Sequence, residues 1–238
     1  MGLILYKEKI ANYLNHDQKT EELGFDNTRL SYIPEYFSSY VEQERIPNFV
    51  CLVSRFGEVA HYSHQGFKNI ESKEKIDNET IFRIYSMTKP ITSVAIMMLY
   101  ERGLIRLEHE LYRYLPEFKN TEVWVTGDIN NFKTKPLNNP ILIRDLLTHT
   151  AGFTYDFMLG HPAIGLYRKN GLHDYKNIET KEEMDLEEFC NKLSTLPLLF
   201  EPGEKWHYSC SIDILGRVVE VVSGMKLDAF FRENIFNP

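Results

Sequence analysis

The segment Pro90-Ile91-Thr92-Ser93-Val94-Ala95-Ile96-Met97-Met98-Leu99 constrains the fold more than any other part of the chain. On a helix, Ile91, Val94, Ala95, Met98 and Leu99 share one face and Ile96 and Met97 fall on another, so the element is apolar on most sides and has to be buried. Gly103 is its expected C-terminal cap. A second apolar helix is expected through Ile212, Leu215, Val219 and Val222, stopping at Ser223-Gly224. Two such helices need a layer to pack on. Residues 49–54 and 59–67 are β-branched and aromatic runs flanking Arg55-Phe56-Gly57-Glu58, the pattern of a hairpin. Two or three strands do not make a stable covered sheet by themselves. Either further strands go unrecognised or the chain lacks some.

The rest of the chain supports an α+β organisation. Ile33, Phe37, Tyr40 and Val41 have helical spacing before Pro47 ends the pattern. From 104 to 205, Pro116, Pro136, Pro140, Pro162 and Pro197 break the chain into short pieces that read as mostly helical, with Leu186, Phe189, Leu193 and Leu196 marking one amphipathic helix. The turn Glu201-Pro202-Gly203-Glu204 leads back to the second apolar helix. The expected division is 1–103 for the N-terminal helix, first strands and first apolar helix, 104–205 for a mostly helical insert, and 206–238 for the return to the sheet region.

Several function classes drop out. With 27 Lys plus Arg against 34 Asp plus Glu, a net charge of −7 offers no broad basic surface, so no nucleic-acid partner is expected. The longest apolar stretch, residues 94–99, is far too short to span a bilayer. The N-terminal MGLILYKEKIANYL places Lys7, Glu8 and Lys9 where an export signal needs its apolar region. Cys51, Cys190 and Cys210 are odd in number and widely spaced, which suggests reduced thiols rather than a disulfide framework or a zinc site. A cytoplasmic protein is expected. His61 and His64, three apart in a strand, point to opposite faces and make a poor metal pair. No metal and no cofactor is expected.

The chemistry concentrates at Phe82-Arg83-Ile84-Tyr85-Ser86-Met87-Thr88-Lys89-Pro90, where an extended segment turns into the first apolar helix. Ser86 and Lys89 are three apart, so on a helical or 3₁₀ first turn the amine reaches the hydroxyl. Ser72 with Lys75 and Ser223 with Lys226 share the spacing, but one pair lies in a charged loop and the other at a helix end. A cation at a helix N-terminus opposes the macrodipole and partial burial disfavours its charge, which favours the neutral amine that a general base requires. The same helix start offers the Ser86 backbone N–H to an oxyanion. Pro90 has no N–H, so the Ser86 turn is expected to be 3₁₀-like or the regular helix to begin near Pro90. Without such chemistry, Ser86 would be a helix N-cap and Lys89 a surface lysine.

FRIYSMTKP resembles the nucleophile motif of the serine β-lactamase and penicillin-binding-protein superfamily, most closely the class C-like carboxylesterases. LIRLEHELYRYLPEF, ILIRDLLTHTAGF, FEPGEKWHYS and SIDILGRVVEVVSG resemble further landmarks in the family's order, so the resemblance covers roughly residues 30 to 238. It implies a β-lactamase/transpeptidase-like antiparallel sheet flanked by helices, and an acyl-enzyme mechanism. Ser86 matches the nucleophile, Lys89 the lysine that deprotonates it or holds a neighbouring base, and Tyr208 the tyrosine that serves as phenolate base or proton shuttle. A phenol is a useful base only where a cation stabilises its anion, and Lys89 is the cation the motif supplies. Trp206 and Tyr155 are expected to line an acyl pocket. His149, in Thr148-His149-Thr150-Ala151-Gly152, reads as a residue that fixes a loop.

Two departures refine the expectation. Where β-lactamases carry Tyr-x-Asn, this chain has Tyr208-Ser209-Cys210, which tilts the reading towards an esterase for small or medium acyl esters. The family pattern also continues past ENIFNP with strands carrying a Lys-Thr-Gly-like or His-x-Gly-like motif, so C-terminal sheet strands are expected to be missing. The alternatives are a β-lactamase or D-amino-acid peptidase acting on an amide, and a non-catalytic binding protein or inactive fragment. Oligomeric state is not legible.

Overall fold

Residues 20–172 and 184–237 are described by a computed structural model, in which the backbone divides into two units, Met1–Arg83 and Ile84–Pro238. The N-terminal segment read for an export signal lies outside the described residues.

In the first unit, α1 (Asn27–Leu30) is capped by Asp26, whose carboxylate accepts the Arg29 N–H at 3.0 Å. Helix α2 (Tyr32–Glu42) carries the Phe37 ring to 5.3 Å from Phe49, and Ser38 Oγ donates to Gln65 Oε1 at 2.5 Å. Beneath it, β1 (Asn48–Arg55) and β2 (Glu58–Asn69) pair antiparallel, and β2 pairs with the short β3 (Glu74–Lys75). The hairpin sits at the turn the sequence indicates, with Phe56 at φ 55° and Gly57 at φ 80°, the left-handed pair that suits a two-residue connection. His61 is buried and His64 exposed, as strand alternation requires.

The second unit is organised around two helices. Helix α3 (Thr88–Glu101) buries Thr92, Ala95, Ile96 and Leu99 against a later helix, and its chain turns away at Gly103, φ 71°. Residues 104–205 then hold more strand than expected. β4 (Glu122–Gly127) and β5 (Phe132–Pro136) form an antiparallel hairpin, closed by stacking of Trp124 on Phe132 at 4.9 Å and extended by a bridge from Val123 to Leu198. Among the described residues, the short helices α4 (Ile143–Leu147), α5 (Ile164–Lys169) and α6 (Leu186–Ser194) follow. Asp185 caps α6 by accepting the Glu188 N–H at 2.9 Å.

Helix α7 (Ser211–Ser223) buries Ile212, Ile214, Leu215, Val218 and Val219, and ends at Gly224 in the left-handed conformation. Arg217 ties it to α6 through Glu187 at 2.7 Å and closes on Glu220 at 3.1 Å. Helix α8 (Leu227–Phe231) inserts Phe230 and Phe231 into the same core before a π-helical turn, Arg232–Phe236. Against the expectation of burial on most sides, Val94 is 49% and Met97 38% exposed. Helices α7 and α8 both pack on α3, whose fully buried residues are Ala95, Ile96 and Leu99.

Candidate active site

Ser86 sits in the 3₁₀ turn Tyr85–Met87, which runs straight into α3. Tyr85, the residue before it, is held at φ 45°, a left-handed conformation that costs a non-glycine residue about 1–3 kcal/mol and that the surroundings must maintain. Pro90 is the third residue of α3, where its missing N–H is one the helix leaves unpaired anyway. One turn on from Ser86, Lys89 Nζ donates to Ser86 Oγ at 3.4 Å. Tyr208 reaches the same oxygen from the segment just before α7, its hydroxyl donating at 2.6 Å.

A second loop fixes Tyr208. After α4 the chain passes through His149 at φ 57° and Gly152 at φ 90°. Its carbonyls take hydrogen bonds from residues near Tyr208: His149 accepts from the His207 N–H, Thr150 from Gly203 and Gly152 from Leu199, each at 2.8 Å. The His149 ring packs 4.9 Å from the Tyr208 ring, and its Nδ1 lies 3.3 Å from the buried Ser209 Oγ, which meets Ser211 Oγ at 2.8 Å. His207 Nε2 contacts Thr154 Oγ1 at 2.9 Å. Burial first, then the nearby charge of Lys89 and that of His207, hold His149 below the ordinary imidazole range.

Lys89 Nζ lies 5.0 Å from the Tyr208 ring centroid and 5.2 Å from that of Tyr155, cation–π contacts with two rings that are themselves 5.6 Å apart. Tyr155 is buried, its ring stacked on Phe157 at 4.9 Å and its hydroxyl donating to Asp213 Oδ2 at 3.2 Å. Burial, and then the Asp213 carboxylate, push the Tyr155 hydroxyl well above the ordinary phenol range and keep it a donor. A cleft of about 290 Å³ opens beside Ser86, walled by Tyr155, Phe157, Leu186, Ile212, Asp213 and Leu227.

The structure therefore brings Ser86, Lys89 and Tyr208 within hydrogen-bonding range and places Tyr155 on the cleft wall. Trp206 is 68% exposed, stands outside that lining, and presents its ring to His149 at 6.5 Å. Cys210, where β-lactamases carry an amide, is fully buried. Sequence reasoning missed Asp213. The available signal was its place in the first turn of α7, five residues after Tyr208.

Residues 33–238 match the sequence pattern of the Beta-lactamase family. The chain belongs to that family. It is 34% identical over 193 residues to esterase EstB of Burkholderia gladioli, a match covering 81% of this chain and 45% of the relative. Against the lovastatin esterase of Penicillium rubens, identity is 33% over 193 residues, covering 79% of this chain and 46% of that one. Among solved structures, EstCE1, described as a hydrolase with promiscuous acyltransferase activity, matches with a TM-score of 0.71 at 30% identity, covering 91% of this chain and 51% of that one. The chain thus spans about half the length of the relatives it matches. Its helices and antiparallel strands have the Beta-lactamase family's α+β fold. Among the described residues, no helix is long and apolar enough to cross a membrane.

Proposed function

We propose that this family member is a serine hydrolase, a carboxylesterase for small or medium acyl esters, that forms an acyl-enzyme on Ser86. The observation that carries the reading is the convergence of Tyr208 hydroxyl and Lys89 Nζ on Ser86 Oγ, at 2.6 and 3.4 Å. The shorter contact supports Tyr208 as the group that carries the proton. Lys89 Nζ, 5.0 Å from the Tyr208 ring centroid, places an amine beside the same proton path.

The phenolate takes the Ser86 proton as Oγ adds to the ester carbonyl. Collapse of the tetrahedral adduct breaks the ester C–O bond, and Tyr208 returns the proton to the departing alkoxide, which leaves as an alcohol. Tyr208 then deprotonates a water, which adds to the acyl-serine; collapse breaks the acyl–Oγ bond, releases the carboxylic acid and restores Ser86. An alcohol in place of that water would give acyl transfer, a reading favoured by the description of EstCE1.

An ester is preferred over a β-lactam or peptide because Cys210 is buried and offers no amide to a substrate side chain. Tyr155 on the cleft wall supports its role towards the acyl group, while Trp206 would meet substrate only outside the described cleft. The charge of −7 argues against a nucleic-acid partner, and three free cysteines fit the cytoplasm. Nitrophenyl-ester hydrolysis lost in Ser86→Ala and exceeding nitrocefin turnover in the unaltered chain is the expected result. Hydrolysis unchanged by Ser86→Ala overturns the reading.

A further inference from the structure

We infer that Asp213, acting through Tyr155, is a positioning residue that holds the Lys89 amine against Ser86. A lysine side chain is a flexible stem with a point charge at its tip, and nothing in its own covalent structure keeps the tip in one place. Here the tip faces two neighbouring rings together, 5.0 Å from Tyr208 and 5.2 Å from Tyr155, whose own centroids are 5.6 Å apart. Tyr208 is pinned by its bond to Ser86. Tyr155 comes from a loop, and its ring is oriented at one end by stacking on Phe157, with 16° between the planes, and at the other by donation to Asp213 Oδ2.

Asp213 is itself well placed to serve as the fixed point. It occupies the first turn of α7, where the helix dipole favours a carboxylate. The 13-residue helix is rigidly packed, with Ile214, Leu215, Val218 and Val219 fully buried. Tyr208 lies immediately upstream of the same helix. One helix start thus sets both rings that Lys89 faces, Tyr208 directly and Tyr155 by way of Asp213. This gives Asp213 and the Tyr155 hydroxyl a role distinct from walling the cleft.

The kinetic half of the test rests on the hydrolase reading; the spectroscopic half does not. Protons above ring faces resonate upfield, so in protein labelled with ε-¹³C-lysine the Lys89 signal, identified by its loss in Lys89→Arg, is expected upfield of the other lysines. Tyr155→Phe and Asp213→Ala return it towards them, while Asp213→Asn, which keeps an acceptor oxygen and guards against misfolding, largely preserves it. With a nitrophenyl ester, Tyr155→Phe lowers kcat by about 10- to 100-fold with little change in KM, the scale of a small misplacement of a reacting group. The double variant Tyr155→Phe/Asp213→Ala is no slower than the slower single one.

A Lys89 signal unmoved by both Tyr155→Phe and Asp213→Ala overturns the inference, as does an effect on KM alone or single effects that multiply. Absence of ester hydrolysis in the unaltered chain counts against the hydrolase reading, and the resonance still decides the positioning role.

Discussion

Tyr208 donates to Ser86 Oγ across 2.6 Å, although 122 positions separate them in the chain. The contact joins the starts of two helices, α3 and α7, and in the proposed mechanism it is the path by which Tyr208, as phenolate, takes the Ser86 proton. Tyr208→Phe keeps the ring that packs on His149 and removes only the hydroxyl. It is expected to lower kcat/KM for ester hydrolysis by about 10²–10⁴, the usual worth of a positioned acid–base group. Steady-state kinetics on a nitrophenyl ester check this; a loss under three-fold would remove Tyr208 from the proton path.

Lys89 and Tyr208 are expected to behave as one unit. Lys89→Met removes the amine that faces both Ser86 Oγ and the Tyr208 ring and should cost about as much as Tyr208→Phe, with the double variant close to either single one. Lys89→Arg keeps a charge but replaces a compact ammonium by a longer planar fork that does not bring its charge to the same point over the two rings and beside Ser86, so it should rescue little. Multiplicative losses in the double variant would show two separate roles.

Stability should fall on mild acidification. Burial is the leading cause that holds His149, His161 and His207 below the ordinary imidazole range in the folded chain. Unfolded, each takes up a proton near pH 6.5, so below about that pH the unfolded state binds more protons and stability drops as pH falls towards the lowered native values. Above pH 7 the contribution is fully present. The carboxylates held low, Asp77, Glu110, Asp185 and Glu204, act only at lower pH. Thermal midpoints measured between about pH 8 and 5 should be flat above 7 and decline below 6.5, with a shallower decline in His149→Gln. A midpoint that rises on acidification would contradict this.

The loop behind Tyr208 depends on a glycine. Gly152 sits at φ 90°, and a Cβ built there would lie 2.5 Å from the Phe200 carbonyl oxygen. Gly152→Ala is expected to destabilise the chain by about 2 kcal/mol or more, from strain plus the displaced backbone, with a lower denaturant midpoint. Gly103→Ala shares a positive φ but meets nothing within 4 Å, so it should cost less.

What could be read from the chain was whatever has a local signature. The hairpin announces itself at Arg55-Phe56-Gly57-Glu58, and both apolar helices by their periodicity. Ser86 with Lys89 stood apart from two other pairs by context; Ser223 Oγ indeed donates to the Val219 carbonyl of its own helix. The β4–β5 hairpin had no such signature, because Lys133-Thr134-Lys135 is polar and the pairing draws on Trp124 stacking and a bridge to Leu198 far along the chain. Asp213 was hidden for the same reason, its partner Tyr155 lying 58 residues away. Val94 and Met97 stay exposed against their apolar pattern because apolar character shows that a face favours cover, not which residues provide it.

The most direct test of Ser86 as nucleophile is intact-mass and peptide analysis after treatment with a fluorophosphonate probe. A single adduct is expected on the peptide containing Ser86, absent in Ser86→Ala and slowed in Tyr208→Phe. A folded chain that takes no label, or one labelled equally in Ser86→Ala, would contradict it.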